Sequence, residues 1–112
     1  MIEVPTIEVA QVPDPIPEGV TVLDVRETLE WHHGRIEGAL HIPLTQLPDR
    51  ASELPVDQQL LVVCKVGGRS SQATAFLREK GFEAINLAGG MIDWVEAGRP
   101  MVGDADAEPF VA

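Results

Sequence analysis

The chain has 112 residues, which suits one domain with a single core. Its 8 basic and 18 acidic residues give a net charge of −10, and such a surface repels nucleic acids and anionic membranes, so neither is expected as a partner. One cysteine excludes an internal disulfide and a cysteine-cluster metal site. Because the N-terminus lacks the features of a secretory signal and no apolar run has the length of a membrane span, we expect a cytoplasmic location.

The N-terminal half of the chain predicts strands and helices behind a proline-rich lead-in. Residues 7–9 can form a short edge strand, and the three prolines between residues 13 and 17 impose an extended segment. Residues 20–25 are β-branched and almost all apolar, as in a strand buried on both faces of a parallel sheet. The other predicted elements of this half are a helix over residues 27–33 that stops at Gly34, a strand over 38–42 ended by Pro43, and a helix over 44–54 broken at Pro48.

The C-terminal half continues the alternation. Residues 60–63 predict a second buried strand, and residues 71–80 predict a helix because Ala73, Phe76 and Leu77 share one face. The remaining predicted features are a C-terminal cap at Gly81, a strand over 83–87, a turn at Gly89 and Gly90, and a short helix with the apolar stripe Met91, Trp94 and Val95. The alternation predicts an α/β domain with a mainly parallel sheet. We divide the chain into a lead-in (1–19), a domain (20–102) and a flexible acidic tail (103–112).

The only cysteine, Cys64, directly follows the buried strand over residues 60–63. In open parallel sheets ligands gather at the carboxyl ends of the strands, so Cys64 is expected at that edge. Gly67 and Gly68 allow the backbone N–H groups to turn inward, and the dipole of the next helix adds positive potential. These features favour a thiolate nucleophile. The alternative is a buried structural cysteine that ends a core strand.

Two cations flank the glycines of this loop. Arg69 offers a planar fork that suits an oxyanion, and Lys65 adds a more flexible charge. No acidic residue occurs between Asp57 and Glu79, so the loop is expected to be locally positive. The alternative is that a buried strand and an amphipathic helix have few places for acids. The residues expected to cap the next helix are Ser70 and Ser71.

Three ordered segments of the chain resemble the signatures of single-domain rhodaneses, with the resemblance covering residues 20–101. Residues 23–43 are similar to the N-terminal signature, residues 64–69 to the active loop, and residues 87–94 to the C-terminal signature. One departure is Arg35, where many members carry histidine. Four residues separate Cys64 from Arg69, one fewer than is typical of the cysteine phosphatases that this arrangement also resembles.

The resemblance implies a rhodanese-like three-layer fold, with a mostly parallel five-stranded sheet flanked by helices. It also implies a sulfurtransferase that works without a cofactor or metal. Cys64 would take a sulfane sulfur from thiosulfate or another persulfide donor and pass it to a thiol or to cyanide. The resulting persulfide and the donor anion would be bound by the loop residues Lys65, Val66, Gly67, Gly68, Arg69 and Ser70.

Two other functions stay open. The chain can be a sulfur-relay or protein-binding module fed by a partner, for which a sulfur-carrier or desulfurase protein is the candidate. It can also be a phosphatase or arsenate reductase, since those enzymes share a cysteine–arginine cradle. Asp24, Arg26 and Glu27 are expected to form structural ion pairs or to cap a helix. Packing or surface roles are expected for the histidines and tryptophans, namely His32, His33, His41, Trp31 and Trp94.

Overall fold

A computed structural model describes residues 3–104 and 107–112, and within them a five-stranded sheet is flanked by four α-helices. The strands are β1 (Thr6–Ile7), β2 (Val20–Asp24), β3 (Leu40–His41), β4 (Gln59–Val63) and β5 (Glu83–Leu87). The α-helices are α1 (Thr28–His33), α2 (Leu47–Arg50), α3 (Gly68–Glu79) and α4 (Gly90–Glu96). Short 3₁₀ helices cover Val9–Gln11, Leu44–Gln46 and Ala51–Glu53.

The strands pair in the order β1-β5-β4-β2-β3, and every pair in the sheet is parallel. All carboxyl ends therefore meet at one edge, as the predicted α/β fold requires. The strand that directly precedes Cys64, β4, is central and lies between β2 and β5. Its residue Val63 pairs with Asp24, and Val62 pairs with Asn86. These pairings place the ends of β2 and β5 beside the cysteine loop.

Side chains alternate along β4 between two buried faces. Leu60, Val62 and Cys64 belong to one core cluster, which also contains residues of α3. Leu61 and Val63 belong to a second cluster, which contains residues of α4. Burying a side chain of this size contributes about 1.5–3 kcal/mol relative to leaving it exposed. The sheet is thus the middle of three layers, and the prediction of strands buried on both faces is confirmed.

Several predicted elements differ locally from those in the structure. The edge strand β1 comprises Thr6–Ile7, because Val9 begins a 3₁₀ helix instead of continuing the strand. The segment 44–54 is broken as predicted, into Leu44–Gln46, α2 and Ala51–Glu53, but not at Pro48, which lies at the start of α2 where its missing N–H costs nothing. The predicted stripe of α4 is also too wide. Met91 and Trp94 are buried, whereas Val95 is 40% exposed.

The described part of segment 103–112 lies against α1 and the residues that follow it. Val102 forms an isolated antiparallel bridge with Arg35, and the Phe110 N–H donates to the His33 carbonyl at 3.0 Å. Hydrogen bonds from Arg35 and His32 lower the pKa of the exposed Asp104 carboxyl to about 2. Residues 1–2 and 105–106 of the predicted lead-in and tail lie outside the described residues, and the domain division stays a prediction.

No helix in the described ranges is both long and apolar enough to cross a membrane.

Candidate active site

The Cys64 sulfur lies at the carboxyl edge of the sheet, enclosed by the loop that follows β4. The Cys64 residue is only 1% exposed. The Gly67 N–H donates to Sγ at 3.1 Å, and the Ser70 hydroxyl lies 3.2 Å from Sγ. Because α3 begins at Gly68, its first N–H groups lack partners inside the helix and lie next to this sulfur. The inward-turned backbone donors that the sequence predicts are therefore present.

Hydrogen bonds to the sulfur set the acidity of Cys64. Burial raises the pKa of the thiol, but hydrogen bonds that the anionic sulfur receives from the Ser70 side chain and from backbone N–H groups, including that of Gly67, act in the opposite direction. Their sum lowers the pKa below its usual value. The site thus favours the anionic sulfur that a nucleophile needs.

The backbone of the loop is supported by the start of α4. The Met91 N–H donates to the Cys64 carbonyl at 2.9 Å, and the Ile92 N–H donates to the Lys65 carbonyl at 3.1 Å. A Cβ atom at Gly90 would lie 2.3 Å from the Cys64 carbonyl oxygen, so only glycine allows this approach. With its carbonyls held by α4, the loop can turn its N–H groups toward the sulfur.

The guanidinium of Arg69 is bound by a carboxylate from another element. Its Nη1 and Nη2 atoms donate to the two oxygens of Glu30 on α1 at 2.7 and 2.9 Å. This pairing lowers the pKa of Glu30, chiefly through the Arg69 hydrogen bonds, and raises that of Arg69 through the same contact. One carboxylate therefore lies at the loop, which carries Lys65 and Arg69. The gap in acidic residues is local in sequence, and the fold brings Glu30 across it.

Ser70 does not cap α3, and neither does Ser71. The N-cap residue is Gly67, in the left-handed region at φ 113°, and no side chain caps the helix. Ser70 instead lies in the first turn with its hydroxyl directed at the sulfur and at Asn86 Oδ1, 2.5 Å away. The predicted capping role is wrong because the helix starts earlier than its apolar pattern does.

The remaining loop residues differ in exposure. Val66 is 64% exposed, a Cβ at Gly68 would meet nothing within 4 Å, and Lys65 is partly exposed. Lys65 takes part in none of the ion pairs within residues 3–104 and 107–112. In the same ranges no cluster of three or more His, Cys, Asp or Glu side chains could hold a metal.

Comparisons with known proteins agree with this geometry. Residues 8–97 match the family model of the rhodanese-like domain. The chain belongs to the rhodanese-like domain family. A crystal structure of a rhodanese-related protein from Thermoplasma volcanium has a TM-score of 0.83 at 35% identity, covering 88% of this chain and 97% of that one.

Several curated relatives carry names that refer to sulfur, among them the following two. A protein named sulfurtransferase, from Allochromatium vinosum, is 40% identical over 86 residues, covering 76% of this chain and 80% of that protein. The putative sulfur carrier protein YrkF of Bacillus subtilis is 38% identical over 78 residues, covering 69% of this chain and 42% of that protein.

The signature residues outside the loop of this rhodanese-like domain have structural partners. Arg26 forms a fully buried ion pair with Asp24 at 2.8 Å and donates to the Gly34 carbonyl at 2.7 Å. Glu27 is the N-cap residue of α1. His41 stacks on Trp31, with ring centroids 4.6 Å apart. The ion pair and the capping position agree with the structural roles expected for Asp24, Arg26 and Glu27.

The structure adds residues to the site that the sequence did not single out. They are Glu30, Asn86, Gly90, Met91 and Ile92. Asn86 could have been found because it is a polar residue inside a largely apolar strand. The Gly89-Gly90 pair could have indicated that another backbone segment approaches closely there.

Proposed function

We propose that this chain is a sulfurtransferase in which Cys64 carries a sulfane sulfur as a persulfide. Its family membership and a relative named sulfurtransferase support sulfur transfer at the level of the family. The observation that carries the proposal is the environment of Cys64 Sγ. Backbone N–H groups and the Ser70 hydroxyl surround the sulfur, and their hydrogen bonds lower its pKa.

In the first step the Cys64 thiolate attacks the outer sulfur of the donor. With thiosulfate, a new bond forms between Sγ and the outer sulfur while the sulfur–sulfur bond of the donor breaks. Sulfite leaves with that electron pair, and Cys64 becomes a persulfide anion. This is covalent catalysis by an activated nucleophile, and the N–H groups of residues 66–70 stabilise the anion.

In the second step an acceptor nucleophile attacks the outer sulfur of the persulfide. A thiolate acceptor becomes a persulfide, and cyanide becomes thiocyanate. The electron pair of the broken sulfur–sulfur bond returns to Cys64, which regenerates the thiolate. The cycle balances without a metal or an organic cofactor.

Lys65 and Arg69 are proposed to bind the anionic part of the donor, next to the backbone of Val66, Gly67 and Gly68. Lys65 suits this role because the residue is partly exposed at the loop and forms no ion pair within the described residues. Arg69 must share its guanidinium with Glu30 or release that carboxylate when the donor binds. Donor binding by Arg69 therefore competes with an existing bidentate ion pair.

The proposal is tested by measuring the intact mass of the protein after brief incubation with thiosulfate, beside a Cys64→Ser variant. The expected result is the gain of one sulfur atom that cyanide removes and that the serine variant lacks, because a hydroxyl is a far weaker nucleophile here. Circular dichroism of both proteins checks that they are folded. A folded protein with a free thiol that gains no sulfur from thiosulfate would contradict thiosulfate transfer.

A sulfur-relay module is the second candidate function. The occupied guanidinium of Arg69 favours it, because a small dianion meets competition there, whereas a persulfide delivered by a protein does not depend on Arg69. The relative named putative sulfur carrier protein is consistent with such a role. Sulfur loading from a cysteine desulfurase but not from thiosulfate, measured by the same mass assay, would favour the relay. For either function we propose a cytoplasmic location.

A further inference from the structure

One hydroxyl group connects Cys64 to the end of β5. Ser70 Oγ lies 3.2 Å from Cys64 Sγ and 2.5 Å from Asn86 Oδ1. Cys64, Ser70 and Asn86 are all buried, with exposures of 1%, 0% and 6%. Water therefore has little access to this row of groups, and its hydrogen bonds are made within the protein.

A count of protons shows which state of the sulfur this arrangement fits. Asn86 Oδ1 is a carbonyl oxygen and can only accept, so the single Ser70 hydroxyl proton is donated to it. Ser70 Oγ is then left as an acceptor toward Cys64, and a neutral S–H can donate to it. In this orientation a neutral Cys64 thiol donates to Ser70 Oγ, and the Ser70 hydroxyl donates to Asn86 Oδ1, so both hydrogen bonds are satisfied.

The thiolate needs the opposite arrangement. An anionic sulfur has no proton, so the Ser70 hydroxyl must turn and donate to Sγ. A 180° rotation of the Asn86 amide would then direct Nδ2 toward Ser70 Oγ, with an N–H donating to it. Within the described residues no protein group accepts a hydrogen bond from Nδ2, and Nδ2 is not among the fully buried atoms that lack a partner, so no protein contact holds the amide in its present orientation.

We propose that Asn86 is a positioning residue whose amide turns when Cys64 loses its proton, so that Ser70 donates to the anionic sulfur. The Cys64 proton leaves to solvent, and no covalent bond changes in Ser70 or Asn86. The inference deepens the proposed function, because the thiolate formed in this way is the proposed nucleophile. Asn86 acts on the sulfur only through Ser70.

Other charged groups near the sulfur do not depend on Asn86. Lys65 belongs to the loop, Arg69 to α3, and its partner Glu30 to α1. The buried Asp24–Arg26 pair lies at the end of β2 beside the end of β4, and Asp93 of α4 contacts Gly89. Since these groups remain unchanged in variants of Asn86 and Ser70, they contribute equally to each titration compared below.

The test is a pH titration of the Cys64 thiolate in the full chain, followed by its ultraviolet absorbance and by its rate of alkylation with iodoacetamide. Asn86→Ala and Asn86→Leu remove the amide, and the leucine refills its space. We expect each to raise the Cys64 pKa by about half a unit, because the amide supports a hydroxyl that donates to an anion in the thiolate, and this charge-assisted chain is stronger than the neutral one lost in the thiol. Ser70→Ala should raise it by about one unit through loss of the direct donor.

The double variants Ser70→Ala/Asn86→Ala and Ser70→Ala/Asn86→Leu decide whether Asn86 acts through Ser70. In the Ser70→Ala background, loss of the amide should produce no further shift, as expected of a coupled pair. The same shift in both backgrounds, or no shift in either, would overturn the proposal. In the unsubstituted chain the side-chain amide NMR signal of Asn86 should move with the Cys64 titration, and an unmoved signal would also overturn it. Because these readouts need no sulfur donor, failed sulfur transfer and a failed role for Asn86 are distinguishable.

Discussion

The guanidinium of Arg69 has two competing anions, the Glu30 carboxylate that binds it and the donor anion proposed to approach Cys64. Its exposed fraction is 34%, against 17% for Glu30, so the pair is partly shielded from solvent. Both donor nitrogens that face Glu30 are occupied at 2.7 and 2.9 Å. An incoming sulfonate must share this fork or displace the carboxylate, so Glu30 opposes donor binding by Arg69.

We therefore expect opposite effects from substitutions of the two partners. Arg69→Ala should raise the KM for thiosulfate about tenfold, which corresponds to about 1.4 kcal/mol of lost anion binding. Glu30→Gln should lower this KM, because the competing negative charge is removed while one hydrogen bond to Arg69 can remain. Steady-state thiosulfate:cyanide assays of both variants measure KM and kcat separately.

Arg69→Lys is the matched control for charge, since it keeps the cation and loses the planar fork. We expect Arg69→Lys to have a KM for thiosulfate between those of the unsubstituted protein and Arg69→Ala. If Glu30→Gln instead raises KM as much as Arg69→Ala, the ion pair serves to position the loop and not to compete with the donor. An unchanged KM in Arg69→Ala would lead to the same conclusion.

Site residues that are neighbours in the sequence could be predicted, whereas those that are distant in the sequence could not. Cys64, Gly67 and Arg69 are contiguous, so the loop pattern identifies them together. Glu30 is 39 residues from Arg69, and Asn86 is 16 residues from Ser70. Their contacts follow from the way α1 and β5 lie beside β4, which no local pattern contains.

At the scale of elements, α4 acts on the site through its backbone and not through a side chain. Its first N–H groups hold the carbonyls of Cys64 and Lys65, and this requires that no Cβ projects from Gly90. Gly90 also has φ +51°, in the left-handed region. The N-terminus of α4 is therefore part of the support of the loop.

Gly90→Ala should displace the loop from α4 and reduce sulfur transfer about 10- to 100-fold, as expected when a catalytic group moves by about 1 Å. The new Cβ would lie 2.3 Å from the Cys64 carbonyl oxygen, so one of the two backbones must shift. Turnover per folded molecule and thermal unfolding together measure the effect.

Gly98→Ala is the matched control for backbone strain. Gly98 follows the same helix at φ +75°, but a Cβ there meets nothing within 4 Å. We expect this variant to lose about 1–2 kcal/mol of stability and to keep its activity. Equal activity losses in the Gly98 and Gly90 variants would show that strain, and not contact with the loop, is responsible.

The elements themselves were largely predictable, because hydrophobic periodicity records which faces are buried. β5 matches the predicted residues 83–87, and β2 and β4 differ from prediction by one residue at one end. The sequence places the start of α3 too late, because the first helical residues, Gly68, Arg69 and Ser70, belong to the cysteine loop and show no apolar periodicity. Functional geometry overrides the local signal at that position.

At the scale of the whole molecule, the C-terminal segment connects to the active site through α1. Phe110 donates to the His33 carbonyl at 3.0 Å, and its ring contacts the His33 ring with centroids 4.7 Å apart. The same helix carries Glu30, which binds Arg69 at the start of α3. The C-terminal segment therefore contacts α1, and α1 in turn contacts the cysteine loop through the Glu30–Arg69 ion pair.

Gly34 allows this segment to approach α1. It has an extended backbone at φ 177°, so alanine adds no strain there, but its Cβ would lie 2.5 Å from the Phe110 carbonyl oxygen. Gly34→Ala should therefore release residues 107–112 while the sheet and its two cores stay folded. We expect the amide hydrogen of Phe110 to exchange at least about tenfold faster, because its hydrogen bond to His33 opens. The global free energy of unfolding should change by no more than about 1 kcal/mol.

Amide exchange of Phe110 followed by NMR measures the effect, and Phe110→Ala is the control variant that removes only the ring contact. Unchanged protection of the Phe110 amide in a folded Gly34→Ala protein would show that the segment is held by its other contacts, such as Val111 against the second core cluster, and not by this close approach.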